Sequence, residues 1–335
     1  MLKKIMIGIL AGTLSLTLIG LIGSYWAYNQ VHQYLAQTLI VKAPQELVVS
    51  AGSNLTSLDY ELRTNGLLRG ATWPIKVAVR LDPALALVKS GVYEITPDMR
   101  LSQLITKLNR GEQKRFSVSL IDGQALKQWQ QTLAESRLTV GESPFQAVLT
   151  KAKDTRSPEG LFYPDTYHYS AGDNAEIILE QSYHKMQQVL DNAWANRDAD
   201  LPLTSPYELL TLASIIEKET AKASEREWIA AVFANRLKLG MRLQTDPTVI
   251  YGMGDNYQGN ITRKDLREKT AYNTYRIDGL PPTPIAAPSE ASLLAAANPA
   301  DVDYLYFVSR NDGSHVFSKT LAEHNRAVNE YQRKK

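Results

Sequence analysis

The 335-residue chain contains no cysteine. Disulfides, thiolate nucleophiles and cysteine-ligated zinc are excluded together. The absence also suits an oxidising space, where a free thiol is a liability. No sign of charge dominates: 37 Lys and Arg face 35 Asp and Glu, a net charge of +2. That balance argues against nucleic acid as a partner, which calls for a basic stripe. The five histidines, His32, His168, His184, His315 and His324, show no close pairing such as HxxxH, so no metal site is expected. GxGxxG, Walker A and GxSxG motifs are missing, and no cofactor is implied. There is no internal repeat and no low-complexity tract.

What is present suffices for a packed interior. Hydrophobic residues make up 44% and charged residues 21%, and the length suits about two domains. Lys3 and Lys4 precede an uncharged run from Ile5 to Tyr28, and no Lys or Arg follows until Lys42. A membrane-crossing helix needs about 20 mostly apolar residues. The run ends in Tyr25-Trp26-Ala27-Tyr28, aromatic as membrane interfaces are, and poor as a cleavage site for a signal peptide. The expectation is a cytoplasmic tail over 1–4, a transmembrane helix over 5–28, a linker over 29–42 and everything beyond on the outer side of the membrane.

The remainder reads as α+β in two parts. Over 43–114, Glu46 to Ser50 and Ile75 to Leu81 look like strands, the second alternating in period two. Leu101, Leu104, Ile105 and Leu108 share one helical face, and Gly111 stands where that helix should stop. Over 115–335, Phe116 to Leu120 reads as a strand, and Leu126 to Leu138 and Glu176 to Trp194 as helices. Ser205-Pro206-Tyr207-Glu208 combines a cap, a Pro in the first turn and a Glu three residues on. Ser224 to Glu227 repeats the capping signal. Two helices are therefore expected between Ser205 and Gly240, broken near Ala221 to Ser224.

Chemistry concentrates in a few segments. On a wheel of the first of those helices, Leu209, Leu212, Ala213 and Ile216 form a stripe, and Glu217 and Glu219 flank it about 160° apart. A carboxyl at such a boundary is partly desolvated, which raises its pKa and suits it to act as an acid. Two solvated glutamates paired with Lys218 or Lys222 fit the same pattern, and periodicity does not choose between the two carboxyls. Gly240 to Thr248 follows a helix and brings Gln244, Asp246 and Thr248 together. It reads as a ligand-binding loop or as a turn in which Asp246 caps the next helix and Pro247 opens it. Glu159 to Tyr167 and Ala271 to Tyr275 carry Glu159, Tyr163, Tyr272 and Asn273. Flat aromatic faces beside fixed polar groups are what a sugar polymer requires, and tyrosines packed at strand ends are the plainer alternative.

Several long motifs in one order then carry a resemblance. Glu159 to Tyr167 (EGLFYPDTY), Leu212 to Thr220 (LASIIEKET), Asn235-Arg236-Leu237, Met241 to Tyr251 (MRLQTDPTVIY), Ala271 to Thr274 (AYNT) and Gly279 to Pro282 (GLPP) resemble the endolytic murein transglycosylases, the YceG-like family. The resemblance runs over nearly the whole chain. It implies a LysM-like α+β module over 43–114, a YceG-like catalytic domain over 115–335, and cleavage of the MurNAc–GlcNAc β-1,4 bond to leave 1,6-anhydro ends. It assigns catalysis to the first Glu of the EKET motif, Glu217. The expected substrate-binding residues are Gln244, Asp246, Thr248, Tyr272, Asn273, Glu159, Tyr163 and Glu219. The expected partners are glycan strands, the inner membrane and peptidoglycan synthases of the penicillin-binding class. A hydrolase using Asp246 or Glu219 to activate water, and a wall-binding protein without catalysis, are the competing readings. A cytosolic pyridoxal-phosphate lyase conflicts with the anchor.

Overall fold

The computed structural model describes every residue except Ala221, Lys334 and Lys335. The chain forms two compact units, Met1–Phe116 with Ser170–Gly172, and Ser117–Tyr169 with Asp173–Lys335.

The first unit opens with α1 (Leu2–Leu35), a helix long and apolar enough to cross a membrane. Its apolar side chains from Ile5 to Trp26 are exposed, as lipid contact requires. The helix does not stop at Tyr28. The expected linker over 29–42 is helical as far as Leu35, and Val31, Tyr34 and Leu39 are buried. Apolar residues at 31, 34 and 35 continue the helical spacing, and packing rather than a breaker sets the end.

Next come β1 (Gln45–Val49), α2 (Leu55–Thr64), α3 (Trp73–Leu81), β2 (Gly91–Ile95) and α4 (Leu101–Arg110). β1 and β2 pair antiparallel with Leu47 opposite Tyr93. Their buried residues join Leu55, Leu58, Leu62, Ile75, Leu101, Leu104 and Leu108 in one core. Gly111, at φ 73°, ends α4 in the left-handed region that favours glycine. The segment Ile75 to Leu81 is a helix, not a strand. Pro74 lies in its first turn, Ile75 and Ala78 are buried one turn apart, and Trp73 stacks on Trp26 with ring centroids 5.6 Å apart. Over seven residues that include Lys76 and Arg80, the apolar positions satisfy both periods, and the neighbouring helix decided between them.

A buried polar cluster joins α1 to α2. Asp59 is 1% exposed. It accepts hydrogen bonds from the Tyr34 hydroxyl and from Arg63 Nε, the latter at 2.9 Å. The Arg63 guanidinium also donates to the carbonyls of Gly70 and Ala71.

The second unit contains most of β3 (Arg115–Leu120), then α5 (Leu126–Ala134), α6 (Pro144–Ala152), β4 (Asp165–Ser170), α7 (Ala175–Ala195) and α8 (Pro206–Glu219). After α8 come α9 (Arg226–Lys238), α10 (Asp246–Met253), α11 (Glu290–Ala297), β5 (Tyr306–Ser309), β6 (His315–Ser318) and α12 (Leu321–Tyr331). β3 pairs with β4, and β5 with β6. Ser205 caps α8 through Glu208 N, as the sequence predicts. The repeated signal at Ser224 does not cap α9. It lies in a 3₁₀ turn, and Glu225 precedes the helix without a side-chain cap. Of the expected break, Ala221 lies outside the described residues.

α8 is not an amphipathic surface helix. Every residue from Leu209 to Ile216 is buried, so α8 is the central rod of the unit. A helix buried on all sides carries no face to expose. Its two ends reach the surface, and Glu217 and Glu219 lie in the last turn.

Candidate active site

The two glutamates of α8 face different surroundings. Glu217 Oε2 accepts three hydrogen bonds from the start of α11: Ser289 N at 2.9 Å, Ser289 Oγ at 2.5 Å and Ser292 Oγ at 2.7 Å. Its Oε1 makes no hydrogen bond among the described residues. Ser289 is held there by the proline-rich segment before it. Ser214 Oγ accepts from Ile285 N at 3.0 Å, and Ala287 exchanges backbone hydrogen bonds with Gly123 and Gln124. Lys218 Nζ donates to Gly123 O at 2.9 Å, which draws the same turn toward the end of α8. A Cβ at Gly123 would lie 3.8 Å from Glu217 Cγ. Ser289 also lines a groove of about 360 Å³ with Asp122, Tyr163, Asp165, Thr166 and Glu290. There the Tyr163 hydroxyl donates to Glu290 Oε2 at 3.1 Å, and Lys185 Nζ lies 4.2 Å from its ring centroid. Burial and the Glu290 carboxylate push the Tyr163 hydroxyl up to about 12.

Glu219 turns into a cavity of about 440 Å³ lined by Arg236, Gln244, Asp246, Tyr275, His315 and His324 among others. It accepts a hydrogen bond from Thr245 Oγ1. Burial pushes its carboxyl up to about 7, against the opposing pull of that hydrogen bond. Arg236 is 8% exposed and reaches from α9 to Leu305 O at 2.7 Å and Leu243 O at 2.8 Å. Beside it, Asn235 donates to Val302 O and Tyr304 O. The Asn-Arg pair thus fastens α9 to the loop before α10 and to the approach to β5. Gln244 is exposed, with φ at 53° and its N–H on Thr274 O. A non-glycine residue in that region carries strain of about 1–2 kcal/mol.

The expected site residues therefore do not form one cluster. Gln244 and Asp246 share the Glu219 cavity, whereas Tyr163 stands with Ser289. Asp246 does not cap α10. It is the first residue of the helix, and its Oδ1 accepts from the Tyr275 hydroxyl at 2.7 Å.

Three expected substrate contacts are turned inward. Thr248 is fully buried and its hydroxyl donates to Thr245 O at 2.8 Å. Asn273 is fully buried. Its amide donates to Asp265 O and Glu268 O and accepts from Tyr275 N. Glu159 is 6% exposed and accepts from Leu126 N and from the Tyr251 hydroxyl. Buried polar groups must be paired within the protein, and these three hold loops in place. Tyr272 contributes its ring to Tyr251 and its hydroxyl to Thr283. Sequence reasoning missed Ser289 and Ser292. Their only local mark is a Pro-Ser-Glu helix start at 288–290.

Comparison with known proteins decides the family. The YceG-like family model matches residues 47–330. The chain belongs to the YceG-like family. It is 30% identical over 312 residues to an endolytic murein transglycosylase of Bacillus subtilis, covering 87% of this chain and 85% of that one. It is 26% identical over 353 residues to an endolytic murein transglycosylase of Streptococcus pneumoniae, of whose length it spans 62%. A crystal structure of a YceG-like protein from Listeria monocytogenes is 28% identical, with a TM-score of 0.56, covering 85% of this chain and 99% of that one.

Proposed function

We propose that the chain is a membrane-anchored lytic transglycosylase that cuts peptidoglycan glycan strands internally and uses Glu217 as its acid and base. The observation that carries this reading is the Glu217 carboxyl, the first Glu of the EKET motif, anchored through Oε2 by Ser289, which lines the groove, and by Ser292, with Oε1 unengaged among the described residues. Membership of a family whose named relatives are endolytic murein transglycosylases supports it.

The acid form of Glu217 gives its proton to the glycosidic oxygen between MurNAc and GlcNAc as the C1–O bond breaks. The resulting carboxylate takes the proton of the muramic acid C6 hydroxyl, whose oxygen bonds to C1 of the same sugar. The product carries a 1,6-anhydro end, no water is consumed, and Glu217 regains its starting form. Intramolecular attack has a high effective molarity, so one carboxyl suffices where most glycosidases use two. Tyr163 is placed to stack or hydrogen-bond a sugar in the groove. Gln244, Asp246 and Glu219 offer polar contacts in the neighbouring cavity, and Tyr272 backs the loop behind them.

The exposed apolar stretch of α1 supports single-pass anchoring in the inner membrane. With Lys3 and Lys4 on the cytoplasmic side, the second unit lies in the periplasm. The two-stranded sheet and helices of the first unit support a LysM-like module. An enzyme tethered there meets nascent strands first, and its cuts terminate their elongation next to peptidoglycan synthases. Glu217→Gln abolishes release of anhydro-ended fragments from purified sacculi. Mass spectrometry reads the result, since an anhydro end is lighter than a hydrolysed end by one water. Fragments ending in reducing MurNAc would favour the hydrolase, and retained activity in the variant would remove Glu217 from the role.

A further inference from the structure

We propose that Ser289 and Ser292 are positioning residues for the reaction, fixing Glu217 Oε2 as an acceptor so that Oε1 alone exchanges the proton with the glycan. The inference rests on the assignment of Glu217 as the acid and base. Three donors converge on Oε2, and one of them is a backbone N–H that cannot rotate away. A carboxyl held this way has one proton-bearing oxygen left, because an acceptor of three hydrogen bonds has no room for an O–H of its own. Ser292 is fully buried, so its hydroxyl is shielded from competing water.

The same donors suit the charge change. As Glu217 gives up its proton, negative charge develops on the carboxyl at the first turn of α11. Preorganised donors and a helix N-terminus stabilise that charge without reorganising. When the C6 hydroxyl returns a proton to Oε1, the charge disappears and the donors stay in place. The carboxyl thus keeps one orientation through both proton transfers.

Ser289 has a second task, and the experiment must separate the two. Its hydroxyl oxygen accepts from Ser292 N at 3.3 Å and caps α11. Ser289→Thr keeps both cap and donor. Ser289→Asp keeps a cap acceptor but has no proton to give Glu217 at neutral pH. Ser289→Ala loses both. Full-length protein in detergent is assayed on glycan strands over a range of concentrations, with anhydro ends counted. Ser289→Ala and Ser292→Ala lower kcat about ten-fold each with KM unchanged, as expected for a misplaced reacting group. Ser289→Thr restores turnover and Ser289→Asp does not. Wild-type turnover in Ser289→Asp would mean that only the cap matters and would overturn the proposal. So would Ser292→Ala within two-fold of wild type, or a loss seen only in KM. If Ser289→Ala does not fold, the Thr and Asp variants still decide. Activity in Glu217→Gln, measured alongside, would sink the underlying assignment instead.

Discussion

The Glu219 carboxyl gives the second unit a pH-dependent stability of predictable sign. Burial raises its pKa from 4.5 to about 7. Between those values the folded state holds a proton that the unfolded state has released. The stabilising contribution is complete below about 4.5 and is lost as the pH rises through 7. At about 1.4 kcal/mol per pH unit, the full shift amounts to ~3 kcal/mol. Glu219 lines a cavity open to water, which screens it, so ~2 kcal/mol is the working figure. Glu219→Gln removes the ionisation and keeps an Oε1 to accept the Thr245 hydroxyl. At pH 8 the variant should melt about 4–8 °C above wild type, for a unit of this size. At pH 4.5 the difference should vanish. Calorimetry of both proteins from pH 4.5 to 8.5 measures it. A variant no more stable than wild type at pH 8, or a gap independent of pH, would refute the reasoning.

Other perturbations have equally definite outcomes. Glu159, also pushed up to about 7 by burial, adds to the loss of wild-type stability over the same interval. In the Glu219→Gln background a residual decline between pH 5 and 8 should therefore remain, and Glu159→Gln should remove it. Asp59→Ala leaves Arg63 and the Tyr34 hydroxyl without their buried partner and should destabilise the first unit by about 3–5 kcal/mol. Limited proteolysis should then release the second unit with its activity intact. Gly160→Ala puts a Cβ 2.6 Å from Pro284 Cβ at a φ of 75°. It should cost about 2–3 kcal/mol, read as a lowered melting temperature, with a displaced Pro284 segment lowering turnover as well.

Local signals in the sequence were reliable where the physics is local. Ser205, Pro206 and Glu208 mark the start of α8 because capping involves only neighbours. Gly111 marks the end of α4 for the same reason. β2 escaped, because Gly91–Ile95 is identified as a strand by β1, which lies more than 40 residues earlier. Ile75 to Leu81 was misassigned because its period was ambiguous and α1 settled it. The donor set on Glu217 comes from residues 72 and 75 positions away, and no periodicity within α8 predicts it.

That distance explains why only motif resemblance separated the two glutamates. Residues two positions apart on a helix diverge by about 160°, so Glu217 and Glu219 must enter different environments whatever their chemistry. Among the described carboxyls, burial raises Glu159 and Glu219 to about 7. Yet Glu159 is 6% exposed and is bound by Leu126 N and the Tyr251 hydroxyl. Glu219 is raised by burial and is tied to Thr245. A raised pKa marks desolvation, and desolvation serves packing as readily as catalysis. The better criterion here is a carboxyl with one oxygen saturated by fixed donors and the other left open, which Glu217 meets. The two criteria predict opposite results. If the anchored carboxyl does the chemistry, Glu219→Gln still releases anhydro ends at neutral pH, and Glu217→Gln releases none. If the raised carboxyl does it, the outcomes exchange.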